Sequence, residues 1–187
     1  MAYVRSCCWA DNTVARDLLH AVKYDGWRRV AEDMAARMAR LEVGDIAPRG
    51  ARILVPVPLA AGRRRERGYN QSECLARSIA RLWGAPAPVD LLHRTRETPS
   101  QTRLTPEQRL HNVSNAFQVD AAQVKRLGDV ALFLVDDVIT TGATLNACAD
   151  ALASAGARTI CSITFGRARD PRDAAATKGN DSTWRFG

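Results

Sequence analysis

The chain contains no apolar run approaching the roughly 20 residues that a membrane-spanning helix requires, and no apolar leader at its start. The expected compartment is therefore the cytoplasm. Its five cysteines, at positions 7, 8, 74, 148 and 161, include no C-x-x-C pair, which excludes a zinc ribbon and a thioredoxin-like motif. Cys74, Cys148 and Cys161 fall at apolar positions of expected elements and read as small buried hydrophobes. The adjacent Cys7 and Cys8 leave side-chain metal ligation as a minor alternative. Histidine is scarce too: His20, His93 and His111 show no metal-ligand spacing and read as structural or solvated. The glycines at 62 and 68 do not make a Walker A loop, since the spacing is wrong and no Gly-Lys-Ser/Thr follows. No internal repeat is evident.

What is present describes an ordinary globular protein. At 187 residues, 46% hydrophobic and 25% charged, the chain is long enough for one domain with a sizeable core and a small N-terminal extension. The net charge of +7 comes mainly from arginine, the residue suited to bidentate phosphate contacts. It fits a phosphate-bearing ligand or nucleic acid, and equally an Arg-rich but solvated surface.

Asp11-Asn12-Thr13 offers a helix N-cap, and Val14, Leu18, Leu19 and Val22 recur at helical spacing to about Tyr24. Trp27, Val30, Ala31, Met34, Ala35, Met38 and Leu41 trace a second helix ending near Gly44. These two helices define an expected N-terminal helical cap, residues 1–47. Residues 48–167 form the expected core, and residues 168–187 a mobile tail without periodicity.

Within the core, residues 52–59 read as a short buried strand ended by two prolines, followed by an Arg-rich loop at 62–69. Asn70 with Glu73 resembles a capping box, opening a helix lined by Leu75, Ile79, Leu82 and Trp83. Residues 89–92 and 116–119 read as strands. Between them the polar stretch 94–115 has the length of a functional flap, with a short helix expected from Thr105-Pro106. A helix from Leu145 to a stop at Gly156 and a strand over 158–165 complete the pattern. Strand, loop, helix and strand in alternation predict an α/β fold with a mainly parallel sheet flanked by helices.

Residues 130–145, VALFLVDDVITTGATL, organise the rest. Six apolar or β-branched residues, the mark of a strand buried on both faces, give way to Asp136 and Asp137. Thr140, Thr141, Gly142, Ala143 and Thr144 then lead into a helix, where backbone N–H groups and the positive dipole end favour an anion. Ligands in such sheets gather at the carboxyl ends of strands, which brings Val57 and Pro58 to the same rim. There the turn at 140–144 can hold a phosphate. The two carboxylates can accept from a vicinal diol, or hold water on Mg²⁺. Arg63, Arg64, Arg65 and Arg67 can neutralise a second phosphate group. Monophosphate, diol, metal and pyrophosphate together describe phosphoribosyl pyrophosphate.

The strand, paired acids and T-T-G-x-T turn resemble the motif of type I phosphoribosyltransferases. VPVPL, then RRRERGYNQSE and RTRETPSQTRLTPEQRLHNVSNAF, resemble the ComF (competence protein F) family, over residues 10–167. The resemblance implies a type I phosphoribosyltransferase-like core with a flexible hood over residues 94–112. It implies that Asp136 and Asp137 contact the ribose hydroxyls and serve catalysis, with Mg²⁺ held near them through water or substrate. Thr140, Thr141, Gly142, Ala143 and Thr144 would wrap the 5′-phosphate, and Val57, Pro58 and Leu59 would lie near the pyrophosphate. Arg63 and Arg67 are further candidates, as are Arg94, Arg96, Gln101, Arg109 and Asn112 from the hood. Family members often begin with a four-cysteine zinc module, which this sequence does not show. Two functions follow as alternatives: a Mg²⁺-dependent phosphoribosyltransferase of unknown acceptor, or an accessory module in DNA uptake that keeps the sugar-phosphate site. The implied partners are phosphoribosyl pyrophosphate or another ribose 5-phosphate ligand, and single-stranded DNA or a DNA-uptake helicase, with a homo-oligomer left open.

Overall fold

A computed structural model describes residues 1–24, 28–44, 46, 51–95 and 116–169. Its elements run β1 (Tyr3–Trp9), α1 (Thr13–Tyr24), α2 (Arg28–Met38), β2 (Arg52–Pro56), α3 (Ala61–Arg67), α4 (Gln71–Trp83), β3 (Leu92–Arg94), β4 (Phe117–Val119), α5 (Ala121–Leu127), β5 (Ala131–Ile139), α6 (Ala143–Ser154) and β6 (Thr159–Arg167). The larger sheet has four strands in the order β1-β6-β5-β2, every neighbouring pair parallel. A separate antiparallel pair joins β3 to β4. The architecture is α/β, a mainly parallel sheet flanked by helices, as the sequence pattern predicts.

The period of two in β5 divides the core. Ala131, Phe133 and Val135 pack with Leu19, Val22, Met34, Met38, Leu75 and Ile79 under α1, α2 and α4. Leu132 and Leu134 face the other way, toward Leu145, Cys148 and Leu152 of α6 and Phe117 of β4. Trp83 meets Phe133 edge to face at 5.2 Å and donates its indole N–H to Ala39 O at 2.9 Å, fixing α4 between sheet and α2.

Several elements differ from expectation. The chain opens with β1, an edge strand whose mixed, half-buried residues carry little strand pattern. α1 spans the predicted stretch, although Val14 is exposed; α2 stops at Met38, where i→i−3 bonds from Arg40 and Leu41 tighten the end. The Arg-rich segment is helical in α3, not a loop. Alanine and arginine favour helix, but α3 buries no residue, so apolar periodicity could not mark it. Asn70 caps α4 through Ser72 N–H; Glu73 does not close a capping box, and its carboxylate meets Arg77 at 2.5 Å and Arg64 at 3.7 Å. Leu82 on α4 is exposed, while Leu75, Ile79 and Trp83 are buried. β3 starts at Leu92, while Val89 donates to Leu54 O alongside β2. α5, capped by Asp120, occupies a stretch where the sequence pattern predicts no element. Of the flap expected at 94–115, Arg94 ends β3, and residues 96–115, with the expected helix, lie outside the described residues, as does the tail beyond Arg169.

Candidate functional site

The rim at the carboxyl ends of β2 and β5 collects most of the sequence candidates. β5 continues past Val135, so Asp136 and Asp137 belong to the ladder instead of following it. Asp136 pairs in register with Thr164 of β6. On the other side Pro56 pairs with Val135, and Val57 N–H donates to Val135 O at 3.0 Å, placing residues 57–59 beside Asp136. Thr140 and Thr141 are exposed in the turn that follows, and Gly142 takes a left-handed φ of +78° at the N-cap of α6. That conformation favours glycine. Ala143 is buried as the first residue of α6, Thr144 is half-buried, and Thr141 Oγ1 accepts from Ala143 N–H at 3.4 Å. The exposed turn and the helix N-terminus can receive an anion.

Asp136 is held by two donors to Oδ1, the Ser72 hydroxyl and its neighbour's backbone N–H, each at 2.9 Å. Burial, followed by the charge of Asp137, pushes its carboxyl up to about 8. Asp137 is more enclosed, at 4% exposure; Oδ1 accepts from Val138 N–H at 2.9 Å, and Oδ2 lies 2.7 Å from Lys23 Nζ. Two acids so placed do not by themselves cage a metal. Among the described residues no cluster of three or more His, Cys, Asp or Glu has that form. They are compatible with Mg²⁺ held largely by water and substrate oxygens.

The basic side of the rim is uneven. Arg94 ends β3, stacks over Phe117 at 5.6 Å, and is lowered from its ordinary pKa by burial and then by Arg63. Asp136 acts on Arg94 in the opposite sense, so these three charges share one neighbourhood. Arg67 instead donates to Gln71 Oε1 at 3.2 Å, tying α3 to α4. Arg64 and Arg65 are exposed on α3. Arg109, like Arg96, Gln101 and Asn112, lies outside the described residues.

Three contributors were not singled out for the site from sequence. Ser72 reaches Asp136, and Asn70 donates from Nδ2 to Val57 O at 3.1 Å while capping α4, so one turn braces both sides of the rim. The cap signal did mark this turn. Lys23 had no signal, because a lysine in the last turn of a helix is commonplace. The cysteines are all free; burial pushes Cys7 up to about 12 and raises Cys8, which keeps both as thiols. No helix among the described residues is long and apolar enough to cross a membrane.

No protein-family model matches the chain. Competence protein F of Haemophilus influenzae is 32% identical over 152 residues, covering 81% of this chain and 58% of that protein. DNA utilization protein YhgH of Salmonella typhimurium is 32% identical over 150 residues, 76% of this chain and 63% of its own length. Competence protein ComFC of Bacillus subtilis is 32% identical over 114 residues, 60% of this chain and 43% of that protein. The chain thus spans about three-fifths of the length of the first two relatives. Through the stretch it shares with them, the chain belongs to the ComF family.

Proposed function

We propose that this chain binds phosphoribosyl pyrophosphate, or a related ribose 5-phosphate ligand, at the β2–β5 rim, as part of a cytoplasmic protein serving DNA uptake. The observation that supports it most is the meeting, at one strand end, of a half-buried carboxylate, the exposed T-T-G-A-T turn and two arginines, Arg94 and Arg63. The 5′-phosphate takes the turn at 140–144, the ribose hydroxyls take the carboxylate end of β5, and the pyrophosphate lies toward residues 57–59 and the arginines. Mg²⁺, which the carboxylate end of β5 would hold through water and substrate oxygens, would help offset the charge of the departing pyrophosphate. Transfer at ribose C1 through an oxocarbenium-like state needs no nucleophilic side chain. Positioning and electrostatic stabilisation are what such a rim offers, in a type I phosphoribosyltransferase-like arrangement.

Calorimetry with phosphoribosyl pyrophosphate and Mg²⁺ tests the ligand. The double variant Asp136→Asn/Asp137→Asn is expected to lose binding, and unchanged affinity would sink the site assignment. A pyrophosphate-release screen against nucleobases and amines then tests transfer.

A second reading, an accessory module that contacts single-stranded DNA or a helicase, draws on the relatives' names and on the exposed Arg64 and Arg65. Tight ligand binding without pyrophosphate release for any acceptor favours it.

A further inference from the structure

Adjacent residues of a strand point to opposite faces of a sheet. In β5 the odd positions from Ala131 to Val135 pack beneath α1, α2 and α4, and Leu132 and Leu134 pack toward α6. Past Val135 the strict alternation breaks, since Val138 joins the α1 side of the core and Ile139 the α6 side, so the two acids are placed by their own contacts. Asp137 is buried and lies 2.7 Å from Lys23 of α1, whereas Asp136 is half-buried, accepts from Ser72 at the start of α4, and is felt by Arg94 of β3 and Cys148 of α6. The turn at 140–144 opens α6, the helix that carries Cys148.

We propose that the two carboxylates have separate roles: Asp136 meets the ribose diol or its metal, and Asp137 is a positioning residue clamped by Lys23 into an internal strut between β5 and α1. The assignment rests on the ligand reading above, and departs from the resemblance, which gives the ribose to both acids.

The strut is anchored at its far end as well. The Tyr69 hydroxyl, from the turn between α3 and α4, donates to Val22 O, so the last turn of α1 is fixed one residue before Lys23. Lys23 is also one of only three lysines, with 125 and 178, in a chain whose other basic residues are arginines. A compact ammonium reaching one buried oxygen is the geometry lysine suits better than the planar guanidinium fork. With Asp137 taken up in this way, the donors that steady Asp136 are Ser72 and the Asp137 backbone.

The test uses the full chain, with phosphoribosyl pyrophosphate and Mg²⁺ as the calorimetric probe and melting measured without ligand. Asp136→Asn should weaken binding at least tenfold without lowering the melting temperature. Asp137→Asn frees a lysine that can turn to solvent, so affinity should stay within threefold of the parent. Lys23→Met strands a buried carboxylate, and should lower both the melting temperature and the affinity. Adding Asp137→Asn to Lys23→Met should restore both, and Lys23→Arg, which keeps the charge but fits one buried oxygen less well, should fall between the parent and Lys23→Met. Equal losses of affinity in folded Asp136→Asn and Asp137→Asn proteins would overturn the division of roles while leaving the ligand reading intact. Failure of the parent protein to bind the probe would sink the ligand reading instead. The ligand-free melting cycle still judges the strut: strong coupling between Lys23→Met and Asp137→Asn supports it, and additive effects overturn it.

Discussion

Asp136 concentrates the electrostatic strain of the rim, and its consequence for folding has a definite sign. Its carboxyl is raised from an ordinary 3.8 to about 8, by burial and then by the Asp137 charge. Between those values the folded chain keeps a proton that the unfolded chain has released. This residue's contribution to stability therefore falls as pH rises from about 4 to 8 and levels off above. Asp136→Asn removes the cost. Melting curves from pH 4 to 9 should show the variant gaining on the parent as pH rises, with the widest gap above pH 8; parallel profiles would contradict the shifted carboxyl. Sequence exposed both acids because two carboxylates ending an apolar run are conspicuous. It did not expose their inequality, which depends on Lys23, a residue 114 positions away in sequence and adjacent only after α1 packs on the sheet.

At the scale of elements, the rim depends on how α4 and β6 meet their neighbours. Asn70 accepts from Ser72 N–H and donates to Val57 O, joining the start of α4 to the chain leaving β2. Asn70→Ala removes a cap and leaves a buried carbonyl without its donor, an expected loss of about 1–3 kcal/mol by chemical denaturation. Because Ser72 follows in the same turn, ligand affinity should weaken as well. Gly166 near the end of β6 has another reason to be glycine: a Cβ there would lie 3.2 Å from both Ala10 Cβ and Leu19 Cδ1. Gly166→Ala should cost roughly 1–3 kcal/mol through overpacking against α1, and an unchanged denaturation midpoint would show that α1 can move aside. The elements legible in advance were those with a strong period or an apolar run: α1, α2, α4, α6, β2, β6 and the start of β5. β1 and α5 carry no such signal, and the Arg-rich composition of α3 reads as a loop. α3 buries nothing, and β1 is an edge strand whose identity comes from pairing with β6, across more than 150 residues of sequence.

For the molecule as a whole, parallel strands explain why candidate residues distant in sequence collect at one edge. With β2, β5 and β6 running the same way, their carboxyl ends share one edge, so an acidic motif and an Arg-rich segment some 70 residues apart converge there. The net charge of +7 adds a property that no single residue carries, attraction to a polyanion. If single-stranded DNA is a partner, its affinity should fall with salt by about 0.7 logarithmic units per tenfold salt for each phosphate neutralised. Arg64 and Arg65 are the exposed arginines of α3, whereas Arg67 is tied to Gln71 and Arg63 lies in the neighbourhood of Arg94. Arg64→Ala with Arg65→Ala should preserve the helix, since alanine favours it, and reduce the salt slope by about 1.4 if both contact phosphate. Binding titrations between 50 and 200 mM salt decide the matter. A flat response in the parent would remove DNA as a partner, and equal slopes in parent and variant would assign it to another face.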